Sequence, residues 1–363
     1  MHVFNKRVFS HFDYVSFFLI IPIIFLSYHL ISNTNVALAN RQLVYFAVAF
    51  VLFIFVLFIP IRRYFNIIPY FYWIGIFLLI LVKLVGVTKL GATRWLEIPL
   101  TSLTFQPSEL FKPIFILMIG YLIYNNPPPR EGYGVGGFFY ISFYILLPFS
   151  LIVIEPDLGT SLVLLIVGFG ILFIIGVKMK IWITILLLFA FATPSIYTYL
   201  IKDYQKKRIE DFLSKKPSYH VKQSIIAIGS GGWTGQDEEN ATQTKLKFLP
   251  IATSDFIFAY LVERYGFVGG TIVLLLYMFL ILHLLFLNNF FIHDMLLRTF
   301  AVGVGLLIFV NMSVNILMVV GLAPVVGLPL PMFSYGGSSF INYVILFAVL
   351  QNLIAFRFQD GYG

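Results

Sequence analysis

The run Leu158–Val177, LGTSLVLLIVGFGILFIIGV, decides the fold. It is 20 residues without a charge, bounded by Glu155-Pro156-Asp157 on one side and Lys178 on the other. A helix needs about 20 mostly apolar residues to cross the hydrocarbon core of a bilayer, and this one has the length and the polar ends to do so. Working outward, windows of the same character fall at roughly 14–32, 43–59, 67–87, 108–124, 138–154, 181–200, 257–287, 296–320 and 338–356. Composition agrees. Of 363 residues 60% are hydrophobic and 11% charged, with 41 Phe, 21 Tyr and a mean hydropathy of +0.94, whereas a soluble domain carries about 25% charged residues. The expected fold is an all-α polytopic membrane protein of about ten transmembrane helices, one integral membrane domain over 1–363. A large extracytoplasmic loop, about 201–256, separates helices 7 and 8.

The net charge of +8 raises a nucleic-acid surface, but the charges are too few and too scattered to form one. With zero Cys, disulfides, thiolate metal sites and a Cys nucleophile are excluded. Lys6 and Arg7 before the first apolar run resemble a signal peptide, yet the run is too long, and Ser32-Asn33-Thr34-Asn35 separates it from the cleavage-like alanines. Basic residues of short loops stay on the cytoplasmic side. With the N-terminus inside, Lys6, Arg7, Arg62, Arg63, Arg130, Lys178, Lys180, Arg298 and Arg357 face the cytoplasm, against Arg41, Lys89 and Arg94 outside. An N-in, C-in chain follows.

Within the large loop, residues 201–216 have the spacing of a surface-lying amphipathic helix. Gly229-Ser230-Gly231-Gly232-Trp233-Thr234-Gly235 reads either as a flexible turn or as a backbone nest for phosphate. Ionisable residues in or beside a span are expensive and mark sites unless a partner accounts for them. Glu109 and Lys112 share a helix face as a neutral pair or as a pyrophosphate contact. Lys83 snorkels. Asp157 caps the sixth span or touches substrate or metal. Asp255, in Pro250-Ile251-Ala252-Thr253-Ser254-Asp255-Phe256, is a helix-start carboxylate or a general base. Asn311 and Asn315 lie one turn apart and glue helices together. Pro324, Pro329 and Pro331 break the chain into a re-entrant, apolar but non-helical segment, with Ser338 or Ser339 capping the last span.

Several of these blocks occur together and in order: Gly91-Ala92-Thr93-Arg94-Trp95-Leu96, Phe105-Gln106-Pro107-Ser108-Glu109-Leu110-Phe111-Lys112, Pro156-Asp157-Leu158-Gly159-Thr160, Gln223 to Gly232, Asp255-Phe256-Ile257-Phe258, and Pro324 to Ser339. In this the chain resembles the SEDS family of bacterial cell-wall polymerases, and its elongation branch more than its division branch because both tails are short. The resemblance implies an inverting peptidoglycan glycosyltransferase at the outer membrane face, which polymerises lipid II and releases undecaprenyl pyrophosphate. It implies Asp255 as the catalytic base, with Glu109, Lys112 and Asp157 on polar site positions. Arg94, Lys245, Lys247 and Ser338 join Lys112 as candidates for the pyrophosphate. It also implies a class B penicillin-binding protein and the rod-complex proteins MreC, MreD and RodZ as partners. A divalent cation, Mg²⁺ or Mn²⁺, suits a pyrophosphate beside Asp157, though no ligand spacing demands one. The chain departs from the family pattern at Ile251 and Thr253, where members carry Glu and His, at Ser254 for Thr, and at the acidic run Gln236-Asp237-Glu238-Glu239. The readings from other classes are a lipid-linked precursor transporter and a non-catalytic scaffold.

Overall fold

The computed structural model describes residues 10–89, 92–97, 104–155, 157–195, 206, 218–237, 241, 243 and 252–357. Eleven helices are found among them: α1 (Tyr14–Thr34), α2 (Val36–Phe58), α3 (Ile68–Val85), α4 (Pro107–Asn125), α5 (Val135–Ile154), α6 (Leu158–Ile175), α7 (Met179–Ser195), α8 (Tyr219–Gly231), α9 (Ile257–Phe290), α10 (Met295–Val319) and α11 (Gly337–Ala355). Between α3 and α4 lies a small antiparallel sheet in the order β1 (Val87–Lys89), β2 (Ala92–Glu97), β3 (Thr104–Phe105), with Thr88 opposite Thr93 and Leu96 opposite Phe105.

Nine of the ten expected spans are helices long and apolar enough to cross a membrane. The remaining one, expected at 181–200, begins as α7, an apolar helix of 17 residues whose continuation lies outside the described residues. So does the expected amphipathic stretch 201–216, apart from Lys206.

The ends of the helices follow from local sequence. Asp13, Asp157 and Asp294 cap α1, α6 and α10 by accepting from Ser16, Thr160 and Leu297 N–H groups, the role short acidic side chains play at free helix donors. Asn35 does the same for Ala37 and Leu38, so α1 and α2 turn sharply with one residue between them. Pro107 opens α4, where its missing N–H costs nothing.

The centre of the bundle is α10, packed against α4, α6 and α9. Gly303 permits this: a Cβ there would meet Ile116 of α4 at 2.4 Å and Ile171 of α6 at 3.1 Å. In contrast α2 turns Phe50, Val51 and Phe55 outward, the pattern of a helix whose solvent is lipid.

The sequence suggests one straight span at 257–287, but the structure breaks it. At 34 residues α9 is about 51 Å long, too long for a core of about 30 Å. The break is at Gly266, whose φ is +64°. A side chain there would sit 2.4 Å from Gly235 N and from the Trp233 carbonyl oxygen. The glycine-rich loop is therefore a packing device. Its Gly232 and Trp233 carbonyls accept from Phe267 and Val268 N–H at 2.8 and 3.1 Å, restarting the helix beyond the kink. Glycines serve here because backbone meets backbone, which supports the turn reading over the phosphate nest.

Candidate active site

Two groups of polar side chains gather at the end of the bundle that carries the β-sheet. The first surrounds the start of α6. The Asp157 carboxylate receives the Thr160 N–H at 3.2 Å and the Gln106 amide at 2.9 Å, and Arg94 from β2 reaches it at 3.6 Å. On the first turn of α4 the Lys112 ammonium lies 2.5 Å from Glu109, with both side chains almost fully buried. The other Glu109 oxygen has no hydrogen-bond partner among the described residues, and neither does either oxygen of Glu155, which is 4% exposed. Burial, the Asp157 charge beside it and the opposing pull of Arg94 together push the Glu155 carboxyl up to about 8, so near neutrality it is mostly a neutral acid.

The second group holds Asp255. Asn315 on α10 donates from one amide to the Asp255 carbonyl at 2.9 Å and to the Leu328 carbonyl at 2.7 Å. The Ser334 hydroxyl donates to the Ser254 carbonyl at 2.7 Å and accepts the Leu330 N–H at 2.8 Å, while Tyr335 N–H donates to the Thr253 carbonyl at 2.8 Å. Thus the proline-rich segment 324–336, apolar in sequence, is locked by its backbone onto 253–255. Irregular backbone at this depth has to find such partners. Gly327, at φ +70°, passes over the carboxylate: a Cβ there would stand 3.6 Å from Asp255 Oδ2. Burial raises the Asp255 carboxyl above its ordinary value, and a bond from Ser254 only partly opposes this.

The same loop joins the two groups. Gly159, two residues after Asp157, packs against the Val326 carbonyl oxygen and Leu328, which a Cβ would meet at 3.0 and 3.2 Å. Segment 326–328 therefore lies between the start of α6 and Asp255. The structure brings Arg94, Glu109, Lys112, Asp157 and Asp255 to one end of the molecule around this loop. Lys245 and Lys247 lie outside the described residues. Ser338 is exposed in the first turn of α11 and does not cap it, contrary to the expectation from sequence: Gly336 takes the cap position and no side chain accepts there. Glu155, Gln106 and Asn315 acquire site positions that spacing alone did not assign. Among the described residues no three His, Cys, Asp or Glu side chains gather to hold a metal, so these residues do not build a cation cage.

A family model described as cell cycle protein, FTSW_RODA_SPOVE, matches residues 3–358. The chain belongs to this family. It is 53% identical to the peptidoglycan glycosyltransferase MrdB of Helicobacter pylori strain 26695, over 99% of this chain and 94% of that one. It is 35% identical to MrdB of Escherichia coli K12, over 90% and 88%. Among solved structures it is similar to a chain of a peptidoglycan synthase complex that coordinates polymerisation and crosslinking, with TM-score 0.83 and 27% identity over 96% of this chain and 99% of that chain. It is also similar to the rod shape determining protein RodA of Thermus thermophilus, with TM-score 0.72 and 25% identity over 96% and 98%.

Proposed function

We propose that the chain is a peptidoglycan glycosyltransferase of cell elongation, polymerising lipid II at the outer face of the bacterial plasma membrane. The observation that carries this reading is Asp255, half-buried under the Gly327 turn and held through its own carbonyl by Asn315, in a chain similar along its whole length to MrdB.

The reaction needs one base and a stabilised leaving group. The Asp255 carboxylate takes the proton from the attacking sugar hydroxyl. The oxygen so activated attacks the anomeric carbon of the lipid-linked strand end and forms the β-1,4 bond with inversion. The C–O bond to pyrophosphate breaks, and the electron pair leaves on undecaprenyl pyrophosphate. A carboxyl whose proton affinity is raised by burial is a better acceptor once ionised, and Asp255 has this property. Arg94 and Lys112 supply positive charge to the departing diphosphate. Asp157 orients Arg94, and Glu109 keeps the Lys112 ammonium in place.

An N-in, C-in arrangement follows from the basic residues at the opposite end, Arg62, Lys178, Arg298 and Arg357 among them. This orientation supports a site on the outer side. The likeness to a chain of a peptidoglycan synthase complex supports a class B penicillin-binding protein as partner, crosslinking the strands as they form.

Purified protein in liposomes supplied with lipid II is expected to yield glycan strands and free undecaprenyl pyrophosphate. Transfer of the headgroup across the bilayer with no polymer would replace this reading by that of a precursor transporter.

A further inference from the structure

This inference rests on the polymerase reading and concerns its second substrate. The reaction brings together two lipid-linked chains, each with its own diphosphate, whereas the Arg94, Asp157 and Lys112 cluster provides one cationic pole. A second group of donors reaches the Asp255 segment through Tyr335.

This group begins in α2. Arg41 and Gln42 are consecutive residues near the helix start, and Tyr45 lies one turn on. Helices α2 and α11 run side by side, with Phe46 and Phe340 ring centroids 4.6 Å apart. Gly337, the first residue of α11, is so close to the Tyr45 ring that a Cβ would come within 2.6 Å of it. Tyr45 is thus level with the start of α11, and Gln42, on the same face one turn earlier, stands over that start. Gln42 is fully buried, yet neither atom of its amide has a hydrogen-bond partner among the described residues. A buried amide left this way is costly, which calls for a ligand. Beneath it the first turn of α11 presents N–H groups that no side chain caps. Beside it the Tyr45 and Tyr335 rings stand with centroids 6.4 Å apart, and the Arg41 charge acts on the Tyr335 hydroxyl. Arg41 is exposed, as a group meeting a ligand from the membrane surface must be. Tyr335 in turn holds the Thr253 carbonyl through its own N–H at 2.8 Å, two residues from Asp255.

We propose that Arg41, Gln42, Tyr335 and the first turn of α11 form a second diphosphate subsite, which holds one of the two lipid-linked substrates while the Arg94 and Lys112 pole holds the other. Guanidinium, amide and backbone donors suit the several anionic oxygens of a diphosphate. The catalytic carboxylate then lies between two anchored diphosphates, which is what bringing two sugar ends together requires.

The test is steady-state polymerisation as a function of lipid II concentration. Arg41→Gln is expected to raise KM about tenfold or more, the scale of a lost charged hydrogen bond, with Arg41→Lys recovering most of it. Gln42→Leu is expected to raise KM while leaving thermal stability unchanged or higher, because it removes an unsatisfied buried amide, so misfolding cannot explain the effect. An unchanged KM in Arg41→Gln or in Gln42→Leu, or a loss of kcat at unchanged KM, overturns the subsite. Failure of the wild type to polymerise at all would instead remove the underlying reading.

Discussion

The two ends of the bundle use buried polar groups in opposite ways. At the end that holds Asp13 and Gln351, polar side chains bond to one another. Gln351 and Asp13 exchange two hydrogen bonds at 2.8 and 2.9 Å, the Asp13 carboxylate takes His283 at 2.9 Å and the Ser16 hydroxyl, and Arg62 pairs with Asp294 and donates to the Leu353 carbonyl. Asn352 donates to the carbonyls of Val56, Leu57 and Ile59. These bonds tie segments hundreds of residues apart. That end leaves an amide oxygen of Asn352 unbonded, but at the β-sheet end the unbonded atoms belong to carboxyl groups: within the described structure Glu109 keeps one oxygen unbonded and Glu155 keeps both. Unmet polar groups cost stability and are kept where a ligand uses them. On the proposed reading the first end holds the fold and the second does the chemistry.

Breaking the Lys112 and Glu109 pair is expected to have the largest effect. Lys112→Met leaves a buried carboxylate uncompensated, which costs about 3–5 kcal/mol, and abolishes polymerisation. Adding Glu109→Gln restores thermal stability but not activity, and recovery of both by the double variant would make the pair merely structural. At the other end, Asn352→Ala strands three carbonyls and is expected to lower stability by about 1–3 kcal/mol, seen as a lower melting temperature. Turnover per folded molecule stays unchanged. A selective loss of turnover would erase the distinction between the ends.

The smallest effect is one of pH, and the two ends differ in sign. Burial raises the Asp13 carboxyl, but the bonds and charge from His283 and Ser16 outweigh it and hold it below its ordinary value. Its stabilising contribution is present above the usual carboxylate range and is lost as pH falls. Glu155, raised from 4.5 to about 8, contributes fully below 4.5 and loses its contribution as pH rises to about 8. Thermal stability of the wild type should therefore decline between about pH 5 and pH 8, and Glu155→Gln should flatten that decline. An equal decline in the variant would show that Glu155 is not the group responsible.

Much of the fold was legible because a span is a local property: composition and length over about 20 residues determine it. The shared face of Glu109 and Lys112 was legible for the same reason, since helix spacing alone places i and i+3 together. What escaped depended on meetings between distant segments. Asn315 read as interhelix glue, yet it holds the Asp255 carbonyl and the Leu328 carbonyl together. Gly266 within an apolar run gave no sign of a kink until Gly235 packed against it. Ser338 was expected to cap α11, but capping depends on which residue the incoming chain leaves at the helix boundary, and that residue is Gly336. Glu155 counted as one more loop charge, because nothing in its neighbours foretold that both oxygens would be enclosed without a donor.

The central claim is that Asp255 is the base of a lipid II polymerase. Its most direct test compares wild type with Asp255→Asn, an isosteric change that removes the proton acceptor while the backbone bonds of Asn315, Ser334 and Tyr335 keep the segment in place. Purified Asp255→Asn, as monodisperse and as thermally stable as the wild type, is expected to convert lipid II to glycan strands at least 100-fold more slowly, the scale of a lost general base. Polymerisation by that variant at the wild-type rate would contradict the claim.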